Sequence, residues 1–294
     1  MSSRAGFLAL AGRPNVGKST LVNAAVGRKV AIVSDRPQTT RRAVRGVHTR
    51  GDRQIVLVDL PGVQRPRDAL TSRMAQRVNE ELAGADAALL ILNAEQGVGP
   101  GDRHIARTLA AASLPSAIAL NKVDRLTRAA TLAALAEVAE LELPGEVFPI
   151  SARTGEGMQA LLEHLAGLMP EGPLLYDENE RSDQPVELLL AELIREAAIR
   201  RVFQELPHVV EVVIEEFERL PNGTVRVRAL VWVETESQKG ILIGAHGRMV
   251  KAIGKAARRE LEREIGAPVH LDLSVRVRRD WRSDEGLLDR LGIA

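Results

Sequence analysis

The chain is predicted to fold as two domains of different class, an α/β domain followed by a smaller α+β domain. Three observations predict this. Short apolar runs alternate with helical stretches through residue 170. The alternation then breaks at residues 169–184, which contain Pro170-Glu171-Gly172-Pro173 and a polar run from Asp177. Beyond that break the order of elements becomes α-β-β-α-α-β. The expected boundaries are 1–170, a linker at 171–185, and 186–294, and 294 residues suffice for two separate cores.

The apolar run at 7–11 reads as a buried strand, and 20–26 as a helix. A polar, irregular stretch covers 34–42. Residues 44–48 and 54–58 read as adjacent strands joined by a turn at Arg50-Gly51-Asp52. Further strands are expected at 87–93, 116–120 and 146–150, and helices at 72–83, 102–112, 128–141 and 158–168. That gives six strands and five helices. In the second domain, 186–206 reads as a long amphipathic helix. Residues 208–217 and 224–233 alternate as two antiparallel strands around Pro221-Asn222-Gly223. A short helix, a glycine-rich turn, a helix at 248–265 and a strand at 268–277 complete it.

Composition removes several classes. Cysteine is absent, which excludes a disulfide scaffold and cysteine-liganded zinc and suits a reducing cytosol. The six histidines have no metal-ligand spacing. No apolar run approaches the ~18 residues of a spanning helix, and no signal-peptide core opens the chain, so a cytoplasmic protein is expected. With a net charge of +1, nucleic-acid binding would need a local patch, and 2% aromatic residues argue against a base-stacking RNA platform.

Gly12-Arg13-Pro14-Asn15-Val16-Gly17-Lys18-Ser19-Thr20 fits the phosphate-loop pattern G-x-x-x-x-G-K-[ST], set between a strand and a helix. Its glycines let successive N–H groups turn toward a phosphate, and the helix N-terminus adds partial positive charge. Lys18 would reach the outer phosphates and Ser19 would hold Mg²⁺. Asp59-Leu60-Pro61-Gly62 follows the strand at 54–58. There Asp59 can hold Mg²⁺ through water, and the Gly62 N–H can sense the terminal phosphate. Asn121-Lys122-Val123-Asp124 follows another strand. The Asp124 carboxylate can accept from guanine N1–H and its exocyclic amine, a donor pair that adenine lacks. Lys122 can lie along the base, Asn121 can tie this loop to the phosphate loop, and Ser151-Ala152-Arg153 would place N–H groups on the guanine carbonyl. Of Thr39-Thr40, one hydroxyl could complete the Mg²⁺ shell. Val63 stands where Ras-type enzymes have the water-orienting Gln, so hydrolysis needs another device.

These signals, in this order, resemble the translation-factor-type GTPases, and within them the bacterial Era family. Residues 12–20, Pro-Gln-Thr-Thr-Arg at 37–41 and the order of the second domain carry the resemblance. It implies a phosphate-loop GTPase domain with a mixed six-stranded sheet, GTP or GDP and Mg²⁺ as ligands, and Thr40 as the favoured switch ligand to the metal. Lys18, Thr40, Gly62 and Asn15 are the expected catalytic set. Related GTPases with a phosphate-loop Asn place K⁺ beside the phosphates, so slow, K⁺-stimulated turnover through Asn15 and residues 34–39 is expected. Leu60 departs from the family's Thr.

In the second domain Ile243-Gly244-Ala245-His246-Gly247-Arg248 lies between two predicted helices. It resembles the G-x-x-G loop of a type II KH fold, which clamps single-stranded RNA backbone. His246 stands where the family has a lysine. Lys251, Lys255 and Arg258 share one face of the following helix, with Arg276, Arg278, Arg279 and Arg282 further on. Ile241, Ile243, Val250 and Ile253 would line a groove for bases. The resemblance implies a monomer that binds 16S rRNA near its 3′ end and acts in small-subunit assembly, with loose association with the inner face of the membrane. It also implies that the segment 280–291 helps clasp RNA. A GTPase whose second domain binds protein or membrane is the alternative.

Overall fold

The computed structural model describes residues 3–34, 39–62, 67–202 and 206–293. Contacts divide the chain into two compact units. One comprises Met1–Ala31, Thr40–Arg67 and Thr71–Asp183; the other comprises Ile32–Thr39, Asp68–Leu70 and Gln184–Ala294.

The first unit carries strands β1 (Arg4–Ala11), β2 (Val44–Arg50), β3 (Arg53–Asp59), β4 (Ala87–Asn93), β5 (Ser116–Asn121) and β6 (Val147–Ile150). They form a six-stranded sheet ordered β2-β3-β1-β4-β5-β6. Only the β2–β3 pair is antiparallel, closed by the expected turn; the other pairings are parallel. Helices α1 (Lys18–Val26), α2 (Ala69–Ala83), α3 (Pro100–Ala112), α4 (Arg128–Ala139) and α5 (Met158–Leu168) alternate with the strands. β4 is buried along its whole length, so it reads as a continuous apolar run rather than an alternating one. One core packs Leu8, Leu10, Leu57 and Leu89 against α1 and α5, and another packs Leu90, Leu92, Ile118 and Leu120 against α3 and α4. Each such side chain contributes about 1.5–3 kcal/mol by leaving water. α1 stops at Gly27, whose φ of 72° lets its N–H reach the Asn23 carbonyl at 3.0 Å.

Part of the stretch expected to be a linker belongs to this unit. The side-chain oxygen of Gln54 accepts from the Leu175 and Tyr176 N–H groups at 2.8 and 3.0 Å, and the Val47 N–H donates to the Arg181 carbonyl at 2.9 Å. The edge strand β2, and Gln54 on its neighbour β3, thus find partners in a segment whose composition reads as free.

The second unit contains α6 (Val186–Ile199), α7 (Leu206–Val209), β7 (Glu211–Arg219), β8 (Val225–Val233), α8 (Glu236–Ile243), α9 (Arg248–Ile265), β9 (Val269–Val277) and α10 (Glu285–Arg290). Its sheet is ordered β7-β8-β9, antiparallel then parallel. This is the expected α-β-β-α-α-β order with two added short helices, α7 before β7 and α10 after β9. The long helix expected at 186–206 ends instead at Ile199. Val202 and Leu206 keep its apolar spacing because both pack in the same core as α6 although the helix has stopped. His208 lies in α7, not in a strand. Nor is α6 amphipathic in its second half: every residue from Leu190 to Ile199 is buried, including Glu192, Arg195 and Glu196. Trp281 is fully buried, and its indole N–H donates to the Val209 carbonyl at 3.0 Å, which fastens the C-terminal segment to this unit.

Candidate functional site

β1 delivers the loop Gly12–Gly17 to the N-terminus of α1 at the C-terminal edge of the parallel strands, where α/β sheets bind ligands. The glycines are structural necessities. A Cβ on Gly12 would lie 2.6 Å from the Ile91 carbonyl oxygen, and Gly17 has a φ of 108° and a Cβ there would run into the Asn121 amide nitrogen. Asn15 is left-handed as well, with a φ of 64°. Arg13 contributes backbone to the loop, because its guanidinium grips Asp102 at 2.9 and 2.8 Å, tying the loop to α3.

Lys18 is buried, and its ammonium donates to the carbonyls of Gly12 and Arg13 at 3.0 and 3.2 Å. Burial pushes its pKa down, against the opposing attraction of Asp59. Three hard oxygens meet beside it. Ser19 Oγ lies 2.5 Å from Asp59 Oδ2 and 3.2 Å from Thr40 Oγ1, which stands 3.5 Å from the same carboxylate. Asp59 is fully buried, and burial pushes its carboxyl above the ordinary range, with Lys18 opposing. Its Oδ1 has no hydrogen-bond partner. A buried carboxylate oxygen left without a partner is costly unless a cation or bound water meets it. An all-oxygen set of this kind fits Mg²⁺.

Gly62 approaches the phosphate loop so closely that a Cβ would stand 2.9 Å from the Pro14 ring. Leu60, the departure from the family's Thr, points the other way. It is buried with Ala9, Val58, Val78 and Ala85, where a hydroxyl would be unsatisfied. Val63, like Pro37 and Gln38, lies outside the described residues.

The base-reading loops are cross-linked to the phosphate loop. Asn121 donates to the Val16 carbonyl at 2.8 Å and accepts from the Ala152 N–H at 3.0 Å. Lys122, left-handed at φ 73°, donates to the Asn15 carbonyl at 2.8 Å. Asp124 is the middle residue of a single 3₁₀ turn, Val123–Arg125. Its Oδ1 accepts from Ser151 Oγ at 2.6 Å and its Oδ2 from Arg153 at 2.5 Å. The Ser151 bond first, then Arg153, holds this carboxyl below the usual range. Sequence reasoning assigned Arg153 to the loop for its N–H group. Its guanidinium on Asp124 joins residues far apart in the chain, and no motif in the sequence signals it. Thr20, the last residue of the motif, is already inside α1.

In the second unit Gly244, with φ 69° and ψ 170°, ends α8. Ala245–Gly247 makes one tight turn and α9 begins at Arg248. A Cβ at Gly244 would lie 2.7 Å from Met249 Cβ. His246 is left-handed at φ 52°, and Arg248 Nε donates to the Ala245 carbonyl at 3.3 Å. Ala245, His246, Arg248, Lys251, Lys255 and Arg258 are exposed, and Ile243 is half-buried, so the loop and the basic face of α9 are continuous on the surface. Ile253 does not line a groove there. It is 1% exposed and packs in the core, because it sits on the opposite face of α9 from Lys251 and Lys255. Arg282 pairs with Glu234 at 3.3 Å.

No helix of the described residues is long and apolar enough to cross a membrane. A family model described as a 50S ribosome-binding GTPase matches residues 7–122, and a KH-domain model matches 205–282. The chain is 44% identical over 293 residues to GTPase Era of Mycobacterium bovis and of Mycobacterium tuberculosis, covering 98% of each chain. It superimposes with a TM-score of 0.94, at 34% identity and 99% coverage of both chains, on Aquifex aeolicus Era bound to GDP and AlF₄⁻. An Era structure holding MgGDPNP and nucleotides 1506–1542 of 16S ribosomal RNA matches equally well. The chain therefore belongs to the Era family of GTPases.

Proposed function

We propose that this chain hydrolyses GTP as a timer for docking on the 3′ region of 16S rRNA during assembly of the small ribosomal subunit, with rRNA held by the KH unit. The observation that carries the reading is the convergence of Ser19, Thr40 and Asp59 beside the buried ammonium of Lys18. Its partner is the carboxylate of Asp124 at the base-reading end.

The phosphates of GTP would lie in the loop 12–17 at the head of α1, where main-chain N–H groups and the helix dipole favour negative charge. Lys18, stripped of most of its water, would set its charge against the outer phosphate oxygens, where a desolvated cation acts most strongly on developing charge. Ser19, Thr40 and Asp59 would hold Mg²⁺, which supplies neutralisation of phosphate charge when bound. Gly62, free of a side chain against Pro14, would offer its N–H to the terminal phosphate. Asp124 would accept both donors of guanine, with Arg153 giving way to the base.

Slow turnover and K⁺ stimulation are part of the same reading, supported by Asn15 in the loop and by a valine at position 63. Hydrolysis equal in Na⁺ and K⁺ buffers would remove the K⁺ role and leave the rest intact. Peripheral association with the cytoplasmic face of the membrane rests on the family resemblance. The decisive experiment pairs a nucleotide competition assay with binding of a single-stranded 16S 3′ oligonucleotide. Guanine nucleotides should displace a fluorescent GDP probe and adenine nucleotides should not, and the oligonucleotide should bind the full chain. Equal displacement by ATP would overturn the nucleotide reading; absence of oligonucleotide binding in every nucleotide state would overturn the RNA reading.

A further inference from the structure

α6 carries ionic groups where a buried helix would be expected to carry none. Arg195 is fully buried; its Nε donates to Glu192 Oε1 at 3.0 Å and one terminal nitrogen to Glu192 Oε2 at 2.5 Å. That same nitrogen donates to the main-chain carbonyl of Thr39. One turn on, Glu196 accepts from the Val33 N–H at 3.3 Å and pairs with Arg200 at 2.6 Å, and Arg200 donates to the Val33 carbonyl at 3.1 Å. The Ile32 side chain sits in the core that α6 helps to build. Val33 and Thr39, near the two ends of the segment Ile32–Thr39, are thus bonded to α6 within the second unit through their main-chain groups, and Ile32 packs in the same core.

Burying a guanidinium costs several kcal/mol in lost hydration, so packing alone would favour an apolar residue here. The position of the clamped carbonyl gives the charge a use. The peptide unit is planar, so fixing the Thr39 carbonyl also fixes the N–H and α-carbon of Thr40. Thr40 is the residue whose hydroxyl stands 3.2 Å from Ser19 Oγ and 3.5 Å from Asp59 Oδ2. We infer that Arg195 is a positioning residue for the GTP-bound state: by holding the Thr39 carbonyl it sets the backbone from which Thr40 reaches the metal and the third phosphate. The inference rests on the proposed GTPase reading. It adds that this switch threonine is oriented through the carbonyl of the residue before it. Glu192 fixes the guanidinium in turn, using both carboxylate oxygens.

The test uses the full chain with Arg195→Met, Arg195→Lys and Glu192→Gln. Affinities for GDP and for a non-hydrolysable GTP analogue are measured in parallel by fluorescent-nucleotide displacement, across a Mg²⁺ titration. GDP lacks the third phosphate and has no need of Thr40. Arg195→Met is expected to lose on the order of tenfold in analogue affinity, the effect of one charged hydrogen bond. It should also need more Mg²⁺ for half-saturation, with GDP affinity within twofold of the parent. Arg195→Lys should recover part of the loss, and Glu192→Gln should show a smaller loss of the same selectivity. Equal weakening of GDP and analogue, or no change in either, overturns the inference. Should Arg195→Met fail to fold, the GDP-to-analogue ratio of Glu192→Gln decides alone, with an unchanged ratio counting against it. A parent chain that binds neither nucleotide would instead overturn the GTPase reading itself.

Discussion

Both glycine-rich loops of this chain run into the N-terminus of a helix, α1 at Lys18 and α9 at Arg248, and both use left-handed backbone. They are held in opposite ways. Around the first, residues remote in sequence converge: Asn121 on Val16, Lys122 on Asn15, Asp59 on Ser19, and Gly62 against Pro14. Around the second the bonds are local, from Gly247 to the Gly244 carbonyl and from Arg248 to the Ala245 carbonyl, and the side chains are exposed. A cross-linked, buried loop suits a small ligand whose every atom is to be inspected. An exposed loop at the end of a basic helix face suits a polymer that passes through and is gripped by its backbone. Damage to the first should therefore be large and chemical, while damage to the second should be graded and sensitive to salt.

The largest effect is expected from Lys18→Ala. Removing a desolvated cation from the phosphate site should lower the single-turnover rate of GTP hydrolysis by on the order of 10²–10³. Binding of the 16S oligonucleotide in the absence of nucleotide should be unchanged. A similar loss in both assays would mean that the two loops are not as independent as their bonding implies.

Asp124→Asn should be the next largest. A charged hydrogen bond is worth about 1.5–3 kcal/mol, so guanine affinity should fall on the order of ten- to a hundredfold. Xanthine nucleotides should gain, because Asn can donate to the carbonyl that replaces the exocyclic amine. The pH dependence follows from the direction of the shift. Ser151 and then Arg153 hold the Asp124 carboxyl below its ordinary value, so the folded state favours the ionised form. Its contribution to stability is present above the unfolded pKa, about 4, and is lost as pH falls through the lower folded value. The preference for guanine over adenine nucleotides should accordingly hold steady down through the ordinary carboxylate range and fail only below it. Protonation of Asp59, whose carboxyl is raised by burial, weakens both nucleotides alike. A midpoint above pH 5 in that preference would contradict the arrangement.

The first loop was legible in the sequence because its chemistry is written in contiguous motifs, and residues 12–20, 59–62 and 121–124 each close a strand. What those motifs do not encode is who bonds to whom across the fold. The grip of Arg13 on Asp102 joins residues far apart in the chain, and so does that of Arg195 on the Thr39 carbonyl. Glu192 and Arg195 lie in a helix whose sequence reads as amphipathic, so their spacing signals a solvated face and neither their burial nor their target. Periodicity misled beyond Ile199, where Val202 and Leu206 are buried although the helix has ended, and at Ile253, where one helix face serves the core and the other the solvent.

In the second loop Gly244→Asp should cost roughly tenfold or more in oligonucleotide affinity, since it combines a strained left-handed residue, a clash with Met249 and a repelling charge. GTP hydrolysis without RNA should not change. That variant tests the loop but not the helix beside it.

Lys251→Ala tests the helix, with the smallest expected effect and the sharpest signature. Lys251 is exposed, so its removal should leave stability within about 0.5 kcal/mol. If its ammonium meets one RNA phosphate, it releases one counterion on binding. The plot of log affinity against log salt should then become shallower by about 0.7, with the loss similar for every RNA sequence. Arg258 stands on the same face but shares its charge with Glu262 at 3.7 Å, so Arg258→Ala should change the slope less. An unchanged slope in Lys251→Ala would mean that RNA touches the glycine loop without following α9. The exposed basic face would then be a solvated surface, and the contrast between a loop that inspects and a surface that grips would hold only for the turn at 244–247.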